Sequence, residues 1–260
     1  MPVLFPHGVV ASQESALIVQ ATLLMLIVAL PVFFLLFYFA WRYRASGRGR
    51  HMPNWSHSRF DELIWWAVPI EIILVLGALT WTSTHMLDPH KPLSPAGDAM
   101  VVQVVALPWK WLFLYPQYGI ATLNFVEIPT QTPVEFQITA DAPMNSFWVP
   151  ALGGQIYAMP GMINPLRLSA DSPGDYHGVS ANYSGAGFAD MHFNLRAASR
   201  DDFDTWVASV RKGKGVLSAP VYSALRVPGV AATVAYARVQ RGLFDRIVGQ
   251  FLDAGSPMRH

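Results

Sequence analysis

Ala21 to Ala40 reads ATLLMLIVALPVFFLLFYFA, 20 residues without a charge. As a helix rising about 1.5 Å per residue, it covers the ~30 Å hydrocarbon core of a bilayer. A membrane span is predicted here rather than a buried core helix. Tyr38, Trp41 and Tyr43 follow at its end as an interfacial aromatic belt, and Pro31, mid-span, is expected to kink it. A second apolar run, Leu63 to Trp81, carries Trp65 and Trp66 at one end and Trp81 at the other. The connector between the runs, residues 42–61, is polar and holds Arg42, Arg44, Arg48, Arg50 and Arg59 against one acid, Asp61. The flank Met1–Glu14 has no Lys or Arg. By the positive-inside rule the connector is cytoplasmic, and the N-terminus and everything after about Ser83 lie outside. The two spans form a hairpin.

Two carboxylates belong to the second run. Glu62 sits at its inner end, where an acid is favoured by the helix dipole. Glu71 lies near its middle, where a lone carboxylate costs roughly 2.5–3.5 kcal/mol on insertion scales. At about 100° per residue, nine residues put them on opposite sides of the helix, so they do not act as a pair. A packing contact to another membrane subunit is the expected role of Glu71.

Residues 83–99, with Asp88, Pro89, Pro92, Pro95 and Gly97, read as a linker. The period then changes. Val134, Phe136 and Ile138 alternate with Glu135, Gln137 and Thr139, the pattern of a half-buried strand. Met100–Ala106, Ile120–Glu127, Ile163–Ala170, Asp175–Ala181 and His192–Arg196 are further predicted strands. Pro160-Gly161 and Pro173-Gly174 fall between them as turns. Many short strands with such turns predict an antiparallel sandwich or barrel. From Ser199 the pattern returns to helix. Ser199 can cap, Asp201, Asp202 and Asp204 occupy the first turn, and Phe203, Val207 and Val210 share a face. Further helical pieces lead to Arg238–Leu252.

Composition narrows the function. Only 13% of residues are charged and 52% are hydrophobic, against about a quarter charged in a typical soluble protein, which supports the membrane reading. The net charge of +1 and the lack of a basic patch exclude nucleic acid as partner. There is no cysteine, which rules out disulfides, thiolate nucleophiles, iron–sulfur clusters and any copper site built on a thiolate. Met1–Glu14 lacks a basic n-region, and the apolar run after it is too long for a signal-peptide core, so no cleavable leader is evident in these residues.

Several stretches now point the same way: FAWRYRAS (39–46), PNWSHS (53–58), TH-x-LDP-x-KPL (84–93), WKW-x-F-x-YP-x-x-GIAT (109–122), MNSF-x-VP-x-LG-x-QIYAM-x-GM (144–162) and S-x-NYSG-x-GF-x-x-M (180–191). Over nearly its whole length the chain resembles subunit II of the heme–copper terminal oxidases, in the ubiquinol oxidase branch of the cytochrome bo type. The resemblance implies a membrane-anchored α+β protein with three parts. These are an N-terminal two-helix transmembrane hairpin, a cupredoxin-like Greek-key β-sandwich facing the periplasm, and a C-terminal helical segment. The parts expected are an outer N-terminal segment (1–15), the hairpin (16–82) with its cytoplasmic loop (42–61), the linker (83–99), the sandwich (100–197) and the extension (198–260).

In the cytochrome c oxidase branch of that family, the loop holding the two-copper centre CuA reads Cys-x-Glu-x-Cys-x3-His-x2-Met. Here the same frame reads Ser-x-Asn-x-Ser-x3-Phe-x2-Met. The bridging cysteines fall at Ser180 and Ser184, the glutamate at Asn182 and one histidine at Phe188. The other histidine falls at Asn145, and the methionine survives at Met191. Serine hydroxyls with pKa values far above 7 cannot replace bridging thiolates, and a phenyl ring coordinates nothing. No metal, cofactor or catalytic residue is therefore expected in this chain. His177 and His192 are expected to be surface or packing residues. Trp109 and Trp111 match the aromatic motif beside CuA and are expected to serve packing. Glu62 matches a glutamate that the family assigns to the entrance of the K-type proton channel.

The resemblance implies a non-redox subunit of a proton-pumping ubiquinol oxidase in the bacterial inner membrane. Subunit I would hold the hemes and copper, oxidise ubiquinol and reduce oxygen to water. The implied partners are subunit I, small membrane subunits and lipid, and not cytochrome c. Two other readings stay open at this point: a cytochrome c oxidase subunit II with an altered electron acceptor, and a membrane-anchored binding module that works alone.

Overall fold

The structure is a computed structural model that describes residues 3–45, 47, 57–88 and 99–254. Most of the polar connector, with Arg48 and Arg50, and the linker residues Pro89, Pro92, Pro95 and Gly97 lie outside the described residues. The chain divides into two compact units: residues 16–88, and residues 1–15 together with 89–260.

The first unit is built on two helices, α1 (Val9–Arg42) and α2 (Arg59–Met86), both long and apolar enough to cross a membrane. No residue in the most apolar window of either helix is buried. That leaves two apolar cylinders whose stability depends on what surrounds them. α1 continues through Pro31 and α2 through Pro69. Ser58 caps α2, its hydroxyl accepting from the Asp61 N–H at 3.3 Å, with Asp61 and Glu62 in the first turn where the helix dipole favours acids.

The second unit is a two-sheet sandwich. Its first ten strands are β1 (Met100–Leu107), β2 (Lys110–Tyr115), β3 (Ile120–Leu123), β4 (Phe125–Pro129), β5 (Val134–Ala140), β6 (Asn145–Val149), β7 (Gly153–Ala158), β8 (Asn164–Leu168), β9 (Gly174–Ser180) and β10 (His192–Ala198). After α3 (Arg200–Arg211) come β11 (Val216–Leu217), α4 (Ala219–Leu225), β12 (Val234–Tyr236), β13 (Arg238–Val239) and α5 (Leu243–Ala254). One sheet has the order β12-β3-β2-β1-β5-β8, the other β4-β10-β9-β6-β7. Neighbours run antiparallel except β1 with β5 and β4 with β10, which are parallel because the chain crosses between sheets before returning.

The stretch 120–127, predicted as one strand, is two. Asn124 takes a positive φ of 55°, tolerated by Asn, and turns the chain from one sheet into the other. Its side chain fastens the corner. Oδ1 accepts from the Trp111 N–H at 2.8 Å, and Nδ2 donates to the Ala231 carbonyl at 2.7 Å.

Aromatic rings fill the space between the sheets. Phe147 and Phe193 stack with centroids 5.0 Å apart, and Trp111 meets Phe147 edge-on at 5.4 Å. Gly178 is required here, since a Cβ at that position would lie 2.1 Å from the Phe193 ring. The six-stranded sheet is buried on its other face too. There Leu112, Leu114 and Leu123 are covered by Leu217, Tyr222, Phe244 and Ile247 from the C-terminal stretch. That stretch adds three short strands to its helices, and β12 joins the six-stranded sheet. At the sandwich's edge, residues 7–14 fasten onto two of its turns. His7 N donates to Ala151 O at 2.9 Å, Asp171 N donates to His7 O at 2.9 Å, and Gly154 N donates to the Glu14 carboxylate at 3.1 Å.

α3 covers the edge strand β4. Ser199 caps it, accepting from Asp202 N at 3.2 Å, and Phe203 and Val207 are buried beneath it. Under this cover lies Glu127, 2% exposed, with Oε2 lacking a hydrogen-bond partner among the described residues. Burial lifts its pKa to about 7. The Arg196 cation on β10 pulls it down, and Asp175 on β9 and Asp202 on α3 push it up. Tyr115 grips the same residue's backbone, donating to Glu127 O at 3.1 Å and accepting from Glu127 N at 2.8 Å. Because the folded pKa is raised, folding takes up a proton. The contribution of the neutral carboxyl is complete below pH 4.5 and is lost as the pH rises to about 7. Glu127→Gln should therefore be more stable than the parent at about pH 8, with the difference closing toward about pH 4. Denaturant melts of the detergent-solubilised chain across that range would check it, and parallel curves would contradict the assignment.

Candidate functional site

The loops after β1, β3, β5 and β9 emerge at one end of the sandwich, because the parallel pairs β1/β5 and β4/β10 align those strand ends. β6 starts there with Asn145, and β9 ends there with Ser180. Residues 181–187 then loop to a short 3-10 turn, Phe188–Asp190, which delivers Met191 to β10. The structure thus brings Asn145, Ser180, Asn182, Ser184, Phe188 and Met191 to this one end.

What joins the polar members is hydrogen bonding. Ser180 Oγ donates to Asn145 Oδ1 at 2.9 Å, and Asn145 Nδ2 donates to the Pro143 carbonyl at 2.9 Å. Both residues are buried, at 6% and 1% exposure. Asn182 Nδ2 donates to the Met144 carbonyl at 3.0 Å, and Ser180 N donates to the Met191 carbonyl at 3.1 Å. The Ser184 hydroxyl is buried without a hydrogen-bond partner among the described residues. Met191 is buried in the aromatic core. This donor set does not fit a two-copper centre. It offers two amides, two neutral hydroxyls, a phenyl ring and one thioether, and no thiolate or imidazole. Among the described residues no three His, Cys, Asp or Glu side chains converge on a common point.

The loop takes its shape from Trp109. Trp109 itself has a positive φ of 64°, and its Nε1 donates to the Ser184 carbonyl at 3.1 Å. Gly185, at φ 107°, and Gly187 lie against the indole, and a Cβ on Gly187 would sit 2.3 Å from the ring. Trp111, by contrast, is fully buried among Phe147 and Phe193. The two tryptophans of one motif therefore do different work: one fills the core and the other props the loop. Tyr183 is 76% exposed at the tip and meets the Phe188 ring edge-on at 5.7 Å.

His177 and His192 are exposed on the outer face of the five-stranded sheet, ring centroids 5.4 Å apart, while Met191 points inward. The thioether and the imidazoles thus lie on opposite sides of the sheet.

One cluster at this end has no counterpart in the sequence reading. Asp141, after β5, is buried and takes the Tyr222 hydroxyl at 2.5 Å and Arg226 Nε at 3.0 Å on the same oxygen. Burial and the Asp141 carboxylate both hold the Tyr222 phenol un-ionised by pushing its pKa up. Lys110 is buried beside the same C-terminal stretch. Its Nζ donates to the Val227 carbonyl at 2.7 Å, and burial lowers its pKa. The sole hint of this clamp in the sequence was one acid, Asp141, in an otherwise weakly charged stretch.

Glu62, on the other unit, is an exposed residue in the first turn of α2. It forms no part of the cluster at the sandwich end.

A family model for the cytochrome C oxidase subunit II periplasmic domain matches residues 119–198, which include both Asn145 and the 180–191 loop. The chain is 46% identical over 256 residues to cytochrome bo(3) ubiquinol oxidase subunit 2 of Pseudomonas putida, covering 97% of this chain and 82% of that one. It is 44% identical over 254 residues to ubiquinol oxidase subunit 2 of Acetobacter aceti, covering 96% and 83%. Among solved structures, the periplasmic domain of subunit II of cytochrome oxidase from Bradyrhizobium japonicum aligns with a TM-score of 0.42 at 23% identity, covering 44% of this chain and 94% of that one.

Replacing Gly187 with Ala forces the Trp109 ring or the loop to move. The expected loss is about 1–3 kcal/mol, the usual cost of overpacking. A fall in thermal midpoint together with a red shift of Trp fluorescence would report it, and an unchanged melt would show that the loop does not lean on Trp109.

Proposed function

The chain belongs to the subunit II family of the heme–copper ubiquinol oxidases, and we propose that it serves such a complex without a redox centre of its own. One observation carries this reading. In a chain nearly half identical to ubiquinol oxidase subunit 2 across almost its whole length, the metal-holding frame carries Asn145, Ser180, Asn182, Ser184 and Phe188, of which Asn145, Ser180 and Asn182 are hydrogen-bonded to one another or to backbone. Electrons cannot enter through a side-chain set that binds no metal, so the donor must deliver them elsewhere. Ubiquinol, dissolved in the bilayer, would be oxidised in subunit I, where hemes and copper would pass the electrons to oxygen and form water. The hairpin would anchor the chain in the inner membrane, with the arginine-rich connector inside and the N-terminus and sandwich on the periplasmic side. Small membrane subunits and lipid would complete the surroundings of α1 and α2.

Glu62 has a proposed role of its own. A carboxylate in the capped first turn of a membrane helix, exposed at the boundary with water, suits the collection of protons for a channel that continues in subunit I.

Two measurements test these readings. The purified complex should turn over with ubiquinol and not with reduced cytochrome c; turnover with cytochrome c would refute the quinol assignment. Glu62→Ala should slow the proton-coupled reduction of the heme–copper site by roughly 10²-fold or more, the lower range for losing a proton-transfer group. Unchanged reduction kinetics would remove Glu62 from the proton path.

A further inference from the structure

His177 and His192 have no part in the function argued so far. They stand on neighbouring antiparallel strands. His177 is opposite Asn194 and His192 is opposite Val179, so the two histidines are diagonal neighbours across β9 and β10. Tyr176, Gly178 and Ser180 on β9, and Phe193 and Leu195 on β10, are buried, and the residues between them alternate outward. Both histidines are therefore on the outer face of the sheet and exposed. Neither ring makes a hydrogen bond among the described residues, and each has the other as its ring neighbour, with centroids 5.4 Å apart. Strand pairing, rather than side-chain packing, holds them together.

That separation has a chemical reading. With a metal–nitrogen bond of about 2.0–2.1 Å, each imidazole centre sits about 3.2 Å from a bound ion. Two imidazoles on one tetrahedral ion then have centres about 5.2 Å apart, and on a square-planar ion about 4.5 Å. The observed 5.4 Å fits the tetrahedral case. The surroundings do not repel a cation. Val179 and Asn194 are uncharged, and the next pair along the ladder, Asp175 opposite Arg196, sums to no net charge. No carboxylate or cysteine among the described residues converges with the two rings as a third ligand.

We propose that His177 and His192 form a zinc site on the outer face of the sandwich, each ring giving one nitrogen to Zn2+ and water filling the two remaining positions. Zn2+ takes imidazole nitrogen in tetrahedral geometry and carries no redox chemistry. The site is separate from the Asn145–Ser180 end of the core. His192 directly follows Met191, but the imidazole points out where the thioether points in. The ion would tie β9 to β10 at the root of the 181–190 loop, where Ser180 N already donates to the Met191 carbonyl at 3.1 Å.

The test is a Zn2+ titration of the detergent-solubilised full chain, carried without an affinity tag and followed by calorimetry. The chain has 8 histidines, so the parent is compared with His177→Ala and His192→Ala. Both side chains are exposed, and neither substitution opens the core. Each variant should bind one Zn2+ fewer, or bind it at least about tenfold more weakly, as expected when one of two tethered ligands is lost. Saturating Zn2+ should raise the thermal midpoint of the parent and leave that of either variant in place, because the folded sheet alone brings the two rings together. A parent that binds no Zn2+, or equal binding by parent and both variants, would overturn the proposal. Loss in one variant alone would reveal a single-histidine contact and would overturn it as well.

Discussion

The six-stranded sheet is apolar on both faces, and most of the second unit follows from having to bury both. Trp111, Phe113 and Tyr115 point to the five-stranded sheet, while Leu112 and Leu114, one residue away in each case, point outward. The outward side cannot be left to water. The chain beyond β10 supplies the cover, with Leu217, Tyr222, Phe244 and Ile247. The Asp141–Tyr222–Arg226 cluster, the Lys110–Val227 bond and the Asn124–Ala231 bond then tie that cover to the sandwich's loops. Each of these ties pairs a polar group that the cover would otherwise strand in an apolar layer.

The same demand shapes the loop end. A frame that in related oxidases is closed by metal–ligand bonds is closed here by amide and hydroxyl hydrogen bonds, and by the indole of Trp109 lying under two glycines. Hydrogen bonds to neutral groups are individually weak, so the loop depends on packing to stay in place. Trp109 therefore has a structural task at this end, holding the loop through its indole N–H and its ring.

How much of this could be read in the sequence depended on how many faces each segment buries. The spans of α1 and α2 were plain because lipid demands an unbroken apolar run. β5 was plain because one face only is deeply buried, leaving a period of two. β2 gave no such signal: KWLFLY is buried at every position, and a strand enclosed on both sides loses its alternation. The division of 120–129 into β3 and β4 was hidden as well, since Asn124 breaks the strand through a backbone angle and a side-chain bond rather than through a Pro or Gly. The positions set against the metal ligands were legible only through the resemblance to the oxidase family, which supplies the frame on which Asn145, Ser180, Asn182, Ser184 and Phe188 are read. The clamp on Asp141 was not legible, because its three members lie as far as 85 residues apart and only the fold joins them.

The closure of the 180–191 loop by Asn145, Ser180 and Asn182 bears on how the protein matures. A copper centre is an equilibrium: it must be loaded after translocation, in the right oxidation state, and it can be emptied by a chelator. A loop held by its own amides and hydroxyls has no such step. Its geometry is complete when the chain has folded, whatever the supply of copper.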